Sequence, residues 1–247
     1  MGSAAESLDR VRAELEKRFG AAIRPLPGTA PAPERDQGFR VGVRALDRLL
    51  PRGVPRGAVT LWTGEATAGR TAAVRALVER ARRHALVAVV DATLTLDPAA
   101  WCGEDGGSPP GVWVARPPAP GHEEEGAWVA ESLLRTGAFG LVVLDGPLPD
   151  ATAVHRLRAL ARETGAALLV SAGGGAAWRA DVRLEFRRAP GAEPGLSTGA
   201  RFRGRAGVRL AKDSGARTGE REVELVHEPT SRLPLHFAPD RRAAARR

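Results

Sequence analysis

Apolar and polar positions along the chain follow two different periods, and this predicts strands and helices in turn. Nearly continuous apolar runs, typical of strands buried on both faces of a parallel sheet, occur at 58–63, 85–91, 111–115, 140–145 and 166–171. Apolar residues recur at helical spacing in segments 71–84, 123–136 and 151–164. The pattern predicts an α/β fold with a doubly wound, mainly parallel sheet.

The last apolar segments of this pattern differ from the earlier ones. Segments 182–187, 207–211 and 222–226 alternate apolar and polar residues and have no helical segment between them. Such alternation is typical of strands that keep one face in water. We expect these strands to extend the sheet as an antiparallel edge.

Both ends of the chain depart from the α/β pattern. Residues 7–20 predict an amphipathic helix, in which the apolar stripe consists of Leu8, Val11, Leu15 and Phe19. We expect an N-terminal helix in residues 1–24, a Pro-rich linker at 25–39, a core at 40–228 and a basic tail at 229–247. A lone short helix cannot bury its stripe. The stripe is therefore predicted to bind a partner protein or a second copy, or to pack on its own core.

Composition and charge narrow the class of protein. The 247 residues are 43% hydrophobic, with no apolar run long enough to span a membrane and no secretory signal pattern, so we expect a cytoplasmic protein, with the nucleoid as one location. The single cysteine, Cys102, excludes an internal disulfide. The net charge of +8 favours an acidic partner such as nucleic acid, although an Arg-, Ala- and Gly-rich chain also fits a GC-rich coding sequence.

The most informative motif is Gly64-Glu-Ala-Thr-Ala-Gly69-Arg70-Thr71, placed between a predicted strand and a predicted helix. It matches the P-loop pattern G-x-x-x-x-G-K-S/T except that Arg70 replaces the lysine. Such loops surround a phosphate with backbone N–H groups at a helix N-terminus, and the threonine hydroxyl can bind Mg²⁺. Asp145 ends a strand, as the Mg²⁺-binding aspartate of these proteins does. These residues predict a degenerate nucleotide site with at most weak affinity for ATP and Mg²⁺.

Further segments resemble the core of the RecA recombinase. Asp91-Ala-Thr93-Leu-Thr-Leu-Asp97-Pro98 resembles the family's D-A-E-H-A-L-D-P, and 180–188 resembles its ASVRLDIRR strand. Segment 134–145 is similar to the family's helix and Mg²⁺-binding strand, and 42–57 is similar to its lead-in to the P-loop. The resemblance runs from about residue 7 to 226 and implies a RecA-like P-loop core.

The departures from RecA imply which of its activities this chain lacks. Thr93 stands where RecA has the glutamate that orients the hydrolytic water, and a threonine cannot act as that base. Ser171 is followed by Ala-Gly-Gly-Gly instead of a γ-phosphate-sensing glutamine, and of two paired lysines only Lys212 is present. The segments after Asp145 and Ser171 are too short for the DNA-binding loops of RecA. We therefore expect a protein that is not an enzyme.

Within the superfamily, the lead-in and the eroded P-loop are most similar to the ImuA group, RecA-like proteins of translesion synthesis in the SOS response to DNA damage. This resemblance implies contacts with RecA, with a polymerase-like partner of the ImuB type, or with both, and self-association through the N-terminal helix. Two alternatives remain open. One is a weak nucleotide-dependent DNA-binding protein, and the other is a cell-division inhibitor of the SulA type.

Candidate contacts for non-specific binding of DNA lie near the shortened loops. Trp178 and Arg179 follow the strand at 166–171, where RecA has a DNA loop, and Arg201, Arg203 and Arg205 form a basic patch. The alternative for this patch is a solvated loop. Trp62 and Trp113 lie on predicted strands and are expected in the core. The five histidines show no metal-ligand spacing, so no metal site is predicted.

Overall fold

The computed structural model describes residues 38–65, 68–96, 111–117, 122, 124–174, 178–188, 204–214 and 221–227. These residues all belong to one compact unit. The predicted N-terminal helix with its stripe Leu8, Val11, Leu15 and Phe19 lies outside the described residues, as do most of the linker and the basic tail.

Helices and strands alternate along the described residues in the predicted order. In chain order the elements are α1 (Arg44–Leu49), β1 (Val59–Gly64), α2 (Arg70–Ala81), β2 (Val87–Asp91), β3 (Val112–Ala115), α3 (Glu125–Arg135), β4 (Leu141–Asp145), α4 (Ala151–Thr164), β5 (Ala167–Ala172), β6 (Val182–Arg188), β7 (Gly204–Asp213) and β8 (Arg221–His227). The strands form one sheet in the order β3-β2-β4-β5-β1-β6-β7-β8. The predicted α/β class, with a parallel sheet and an antiparallel edge, is confirmed.

The two faces of the sheet are covered by different helices. Leu46 of α1 and Leu77 of α2 belong to one buried cluster, and Leu134 of α3 and Leu157 of α4 belong to the other. Trp62 is fully buried in the first cluster, as predicted. No helix among the described residues is long and apolar enough to cross a membrane.

The prediction that β6 is antiparallel was wrong. β6 pairs with β1 in parallel, and the antiparallel pairings are those of β6 with β7 and of β7 with β8. Parallel pairing requires the chain to return from the end of β5 to the start of β6 through residues 173–181. Asp181 ends this return by accepting a hydrogen bond from the Val59 N–H (3.0 Å). Its described residues form no helix, so sequence pattern gave no sign of a crossover.

The lead-in to β1 contains a helix that the hydrophobic pattern did not predict. α1 has only six residues, and Asp47 accepts hydrogen bonds from the N–H groups of Val41 (2.8 Å) and Gly42 (3.2 Å). Phe39 is buried and pairs with Val54. Phe39 therefore belongs to the buried cluster beneath the lead-in to β1.

An ionic contact joins α3 to α4. Glu131 is buried and accepts hydrogen bonds from Arg135 Nη2 (2.6 Å) and from Arg156 Nε (2.9 Å). The Arg135 hydrogen bond lowers the pKa of Glu131 below its ordinary value of 4.5; burial opposes the shift, and Arg156 adds to it. The carboxylate form is thus the form that the folded state stabilises.

Glu131→Gln is expected to reduce the free energy of unfolding by about 1 to 2 kcal/mol at neutral pH, because both arginines lose a charged acceptor while remaining half exposed. A lowered folded pKa stabilises the protein above 4.5, and this stabilisation disappears as the pH falls through the folded pKa. The difference between wild type and variant should therefore shrink on acidification below 4.5. Urea unfolding at neutral pH and at a pH below 4.5 measures this difference. Glu163→Gln, at an exposed position of α4, is the control and should change little at either pH.

Candidate functional site

The P-loop-like motif lies at the carboxyl edge of the sheet, as predicted. Gly64 is the last residue of β1, Gly69 precedes α2, and Thr71 is exposed in the first turn of α2. Gly69 has a φ of +83°, and a Cβ added there would meet nothing within 4 Å. Glycine at this position is therefore required by backbone conformation and leaves open space at the helix N-terminus. Ala66 and Thr67 lie outside the described residues.

Gly64 is constrained by the sheet itself. A Cβ at Gly64 would lie 1.9 Å from the carbonyl oxygen of Phe186, and its φ is +140°. The Glu65 N–H donates to the same oxygen at 3.1 Å. The first glycine of the motif is thus explained by the close approach of β1 to β6, without reference to a ligand.

Arg70, which replaces the motif's lysine, is bound to the ends of two strands. Its Nη1 donates to the carbonyl oxygens of Gly64 (3.0 Å) and Ala172 (2.6 Å). Burial lowers the pKa of Arg70 from its ordinary value, and the charge of Asp145 opposes this shift. The guanidinium group therefore joins the end of β1 to the end of β5.

Asp145 ends β4 and lies beside two other polar residues of the sheet edge. In the strand ladders its partners are Asp91 on β2 and Ser171 on β5. Burial raises the pKa of Asp145, while the Ser171 hydroxyl and the charge of Arg70 oppose the shift and the charge of Asp91 adds to it.

Asp91 is fully buried and fully engaged by protein groups. Arg116 Nη2 lies 2.9 Å from one carboxylate oxygen, and the Thr95 and Leu96 N–H groups donate at 3.0 and 3.3 Å. Arg116 also donates to the Leu96 carbonyl. Sequence reasoning missed Arg116, because only the sheet order brings it from the end of β3 to the end of β2.

These residues do not fit a magnesium–ATP complex held in the manner that the resemblance implies. Arg70 is turned to backbone carbonyls, and Arg116 already balances the charge of Asp91. Thr93 is exposed and its hydroxyl bonds that of Thr95 at 2.9 Å. In the described part of the chain, no three His, Cys, Asp or Glu side chains form a candidate metal site.

Trp178, predicted as a candidate contact for nucleic acid, is partly buried. Its indole Nε1 donates to the Pro149 carbonyl oxygen at 2.9 Å, and its ring packs against the core on the α3 and α4 side. The Arg183 guanidinium donates to the Trp178 carbonyl. These contacts hold the partly buried side chain of Trp178, in the segment between β5 and β6, against Pro149 and the core.

Of the other predicted nucleic-acid contacts, only Arg179 has a described side chain. Arg179 is exposed beside Trp178, Arg205 lies on β7 with a side chain that the structure does not describe, and Arg201 and Arg203 lie outside the described residues. Lys212 Nζ donates to the Ala180 carbonyl oxygen at 2.6 Å. This lysine therefore has a role within its own chain.

Comparison with known proteins identifies relatives for part of the chain. It is 30% identical to the RecA protein of Treponema pallidum over 142 residues, 28% to that of Borreliella burgdorferi and 30% to that of Frankia casuarinae. Each similarity covers 57% of this chain but only 34%, 38% and 40% of the respective relative. No protein-family model matches the chain. This partial homology, together with the strand order, supports a RecA-superfamily core and a RecA-like fold.

Proposed function

We propose that this protein is a non-catalytic, RecA-like accessory protein of the DNA-damage response, which acts in translesion synthesis through contacts with other proteins. The observation that supports this most directly is the placement of Arg70. Its hydrogen bonds to Gly64 and Ala172 connect β1 to β5 through the protein's own cation. A P-loop lysine instead acts as a point charge directed at the outer phosphates of a nucleotide.

The chemistry of the neighbouring residues supports the same proposal. Hydrolysis of ATP needs a group that orients or deprotonates water and a cation that offsets phosphate charge. Thr93 supplies no base, and Glu65, the acidic residue of the loop, is bound to Arg188 Nε at 3.3 Å. Burial raises the pKa of Asp145 from its ordinary value. The fold is retained while the groups that would perform the reaction are engaged elsewhere.

An ImuA-like role implies which proteins this RecA-like core would contact. The amphipathic stripe predicted at Leu8, Val11, Leu15 and Phe19 would dock its apolar face in a groove of RecA, of a polymerase-like partner, or of a second copy. The core would present this helix without consuming nucleotide. Contacts made in this way depend on the stripe and are independent of ATP.

The wild-type protein is expected to show no saturable binding of a fluorescent ATP analogue with Mg²⁺ up to about 1 mM, a limit that corresponds to roughly −4 kcal/mol. Fluorescence anisotropy measures this, with Arg70→Ala and Thr71→Ala as variants of the buried and exposed motif positions. Micromolar binding that both variants remove would contradict the proposal and favour the nucleotide-dependent DNA-binding alternative.

Binding measurements on the same protein show which partner it binds. Association with RecA and with the polymerase-like partner is measured by light scattering, with and without ATP and Mg²⁺, using the full chain and Leu15→Asp. Association that is independent of ATP and is lost in Leu15→Asp supports the proposal. Binding of the cell-division protein alone would instead identify a SulA-type inhibitor.

A further inference from the structure

Six exposed arginines lie on the lead-in and on the carboxyl end of α2. We call this set the arginine face; its members are Arg40, Arg44, Arg48, Arg52, Arg80 and Arg83. Both α1 and α2 contribute to the same buried cluster, so they cover the same side of the sheet. The sequence analysis did not single out any of these arginines, because the helix that displays two of them was not predicted.

The first four arginines recur at intervals of four residues. Arg44 and Arg48 lie one turn apart on α1, while Leu46 and Leu49 of the same helix are buried. A rise of 1.5 Å per residue separates the two arginines by about 6 Å along the helix axis. The chain immediately before and after α1 carries Arg40 and Arg52, both exposed.

The carboxyl end of α2 lies next to the segment that carries these four arginines. A Cβ placed on Gly42, just before α1, would lie 3.3 Å from the Arg80 Cδ atom. The aliphatic part of the Arg80 side chain therefore packs on the backbone that leads into α1. This contact places the Arg80 charge near the arginines of the lead-in. Arg83 follows α2 and is also exposed.

The carboxylates of these two segments are already engaged. Asp47 accepts hydrogen bonds from the N–H groups of Val41 and Gly42, and Glu79 binds Arg82 Nε at 2.9 Å. Among the residues that the structure describes, Arg52 is the one member of the arginine face with an ion pair, 3.8 Å from Asp213. The positive charge of this face is thus largely uncompensated within the described chain.

We propose that the arginine face binds the phosphate backbone of nucleic acid without reading its base sequence. The guanidinium fork matches phosphate oxygens, and several exposed cations on neighbouring segments fit a polymer whose anionic groups repeat. A flexible acidic protein segment offers no such fixed repeat. Trp128, a strongly exposed aromatic side chain, lies on α3 on the opposite face, so base stacking does not contribute. This site lies apart from Trp178 and from the P-loop-like motif, and the proposal does not depend on the proposed function.

The test is titration of the full chain into labelled single-stranded and duplex DNA across a series of salt concentrations. The double variant Arg44→Gln/Arg48→Gln is compared with Arg162→Gln/Arg187→Gln, which removes the same charge from exposed positions outside the arginine face and outside the predicted nucleic-acid contacts. We expect the first variant to lose about tenfold in affinity at low salt and to reduce the salt slope by about 2, as loss of two phosphate contacts predicts. The control should retain wild-type affinity.

A charge-conserving variant separates binding from folding. Arg44→Lys/Arg48→Lys should recover most of the affinity, and circular dichroism should show all variants folded, because both side chains are exposed. Equal losses in the two Gln variants would overturn the proposal in favour of diffuse attraction by net charge. Absence of DNA binding, with binding of a poly-glutamate peptide that requires Arg44 and Arg48, would overturn it in favour of an acidic protein partner.

Discussion

Gly64→Ala is expected to reduce the free energy of unfolding by about 3 kcal/mol or more, the largest effect of any single methyl group in the motif. The new Cβ would lie 1.9 Å from the Phe186 carbonyl oxygen, at a φ of +140°. The overlap is with backbone that is already paired, since Gly64 and Phe186 are partners in the β1–β6 ladder. Neither strand can withdraw without breaking that ladder. Urea unfolding followed by the fluorescence of buried Trp62 measures the loss.

Two glycines provide matched controls for this effect. A Cβ at Gly69 meets nothing but would adopt a φ of +83°, so Gly69→Ala should cost about 1 to 2 kcal/mol from backbone strain alone. Gly174 has open surroundings and no positive φ, so Gly174→Ala should change stability by no more than about 0.5 kcal/mol. A loss at Gly64 that is no greater than at Gly69 would show that the strands do move apart.

Asp91→Ala is expected to reduce the free energy of unfolding by about 3 kcal/mol. The substitution removes the ion-pair partner of Arg116 and the acceptor of the Thr95 and Leu96 N–H groups. The side chain of Asp91 is fully buried, whereas that of Arg116 is one-third exposed, so Arg116 recovers some hydration in the variant. Guanidinium unfolding at neutral pH gives the difference directly.

A double-mutant cycle shows whether this loss comes from the pair. The double variant Asp91→Ala/Arg116→Ala should lose less unfolding free energy than the two single variants lose together, because the ion pair can be broken only once. Asp150→Ala serves as the matched control: its exposed carboxylate caps α4 by accepting from the Ala153 N–H at 2.7 Å. That loss should be about 1 kcal/mol. Simple additivity at Asp91 and Arg116 would mean that the backbone amides, and not Arg116, hold the carboxylate.

Both effects follow from one property of the candidate site. The residues at the carboxyl edge of the sheet are bound to one another: Gly64 to β6, Arg70 to β1 and β5, and Asp91 to Arg116. These contacts within the chain stabilise the carboxyl edge of the sheet. The stability measurements thus complement the nucleotide titration, since they test what the motif does when no ligand is present.

The parallel sheet and the motif could be predicted from the amino-acid sequence. Long apolar runs such as 85–91 and 140–145 need burial on both faces, and the helical segments between them provide it, so the α/β class follows from local pattern alone. The position of the motif between β1 and α2 was predicted for the same reason. Gly64 and Gly69 were predicted as part of a nucleotide site, and the structure adds that both have positive φ angles, which favour glycine.

Other features depended on contacts between distant parts of the chain. The short helix α1 has too few residues for a recognisable period, and it is stabilised by burying Leu46 and Leu49 under the sheet. The direction of β6 is set by a return segment without a helix, anchored by Trp178 on Pro149. Sequence spacing cannot reveal such an anchor, because its partners are 29 residues apart.

The sequence by itself therefore determined the α/β class, the order of most elements and the place of the P-loop-like motif, because hydrophobic periodicity and glycine requirements act locally. Only the tertiary structure decided what the charged residues do. Arg70, Arg116 and Lys212 find their partners through strand order, and Arg44 and Arg48 form a row only because α1 folds. The physical reason is that burial of apolar surface has a periodic signature along the chain, whereas the partner of a charge is set by which strands become neighbours.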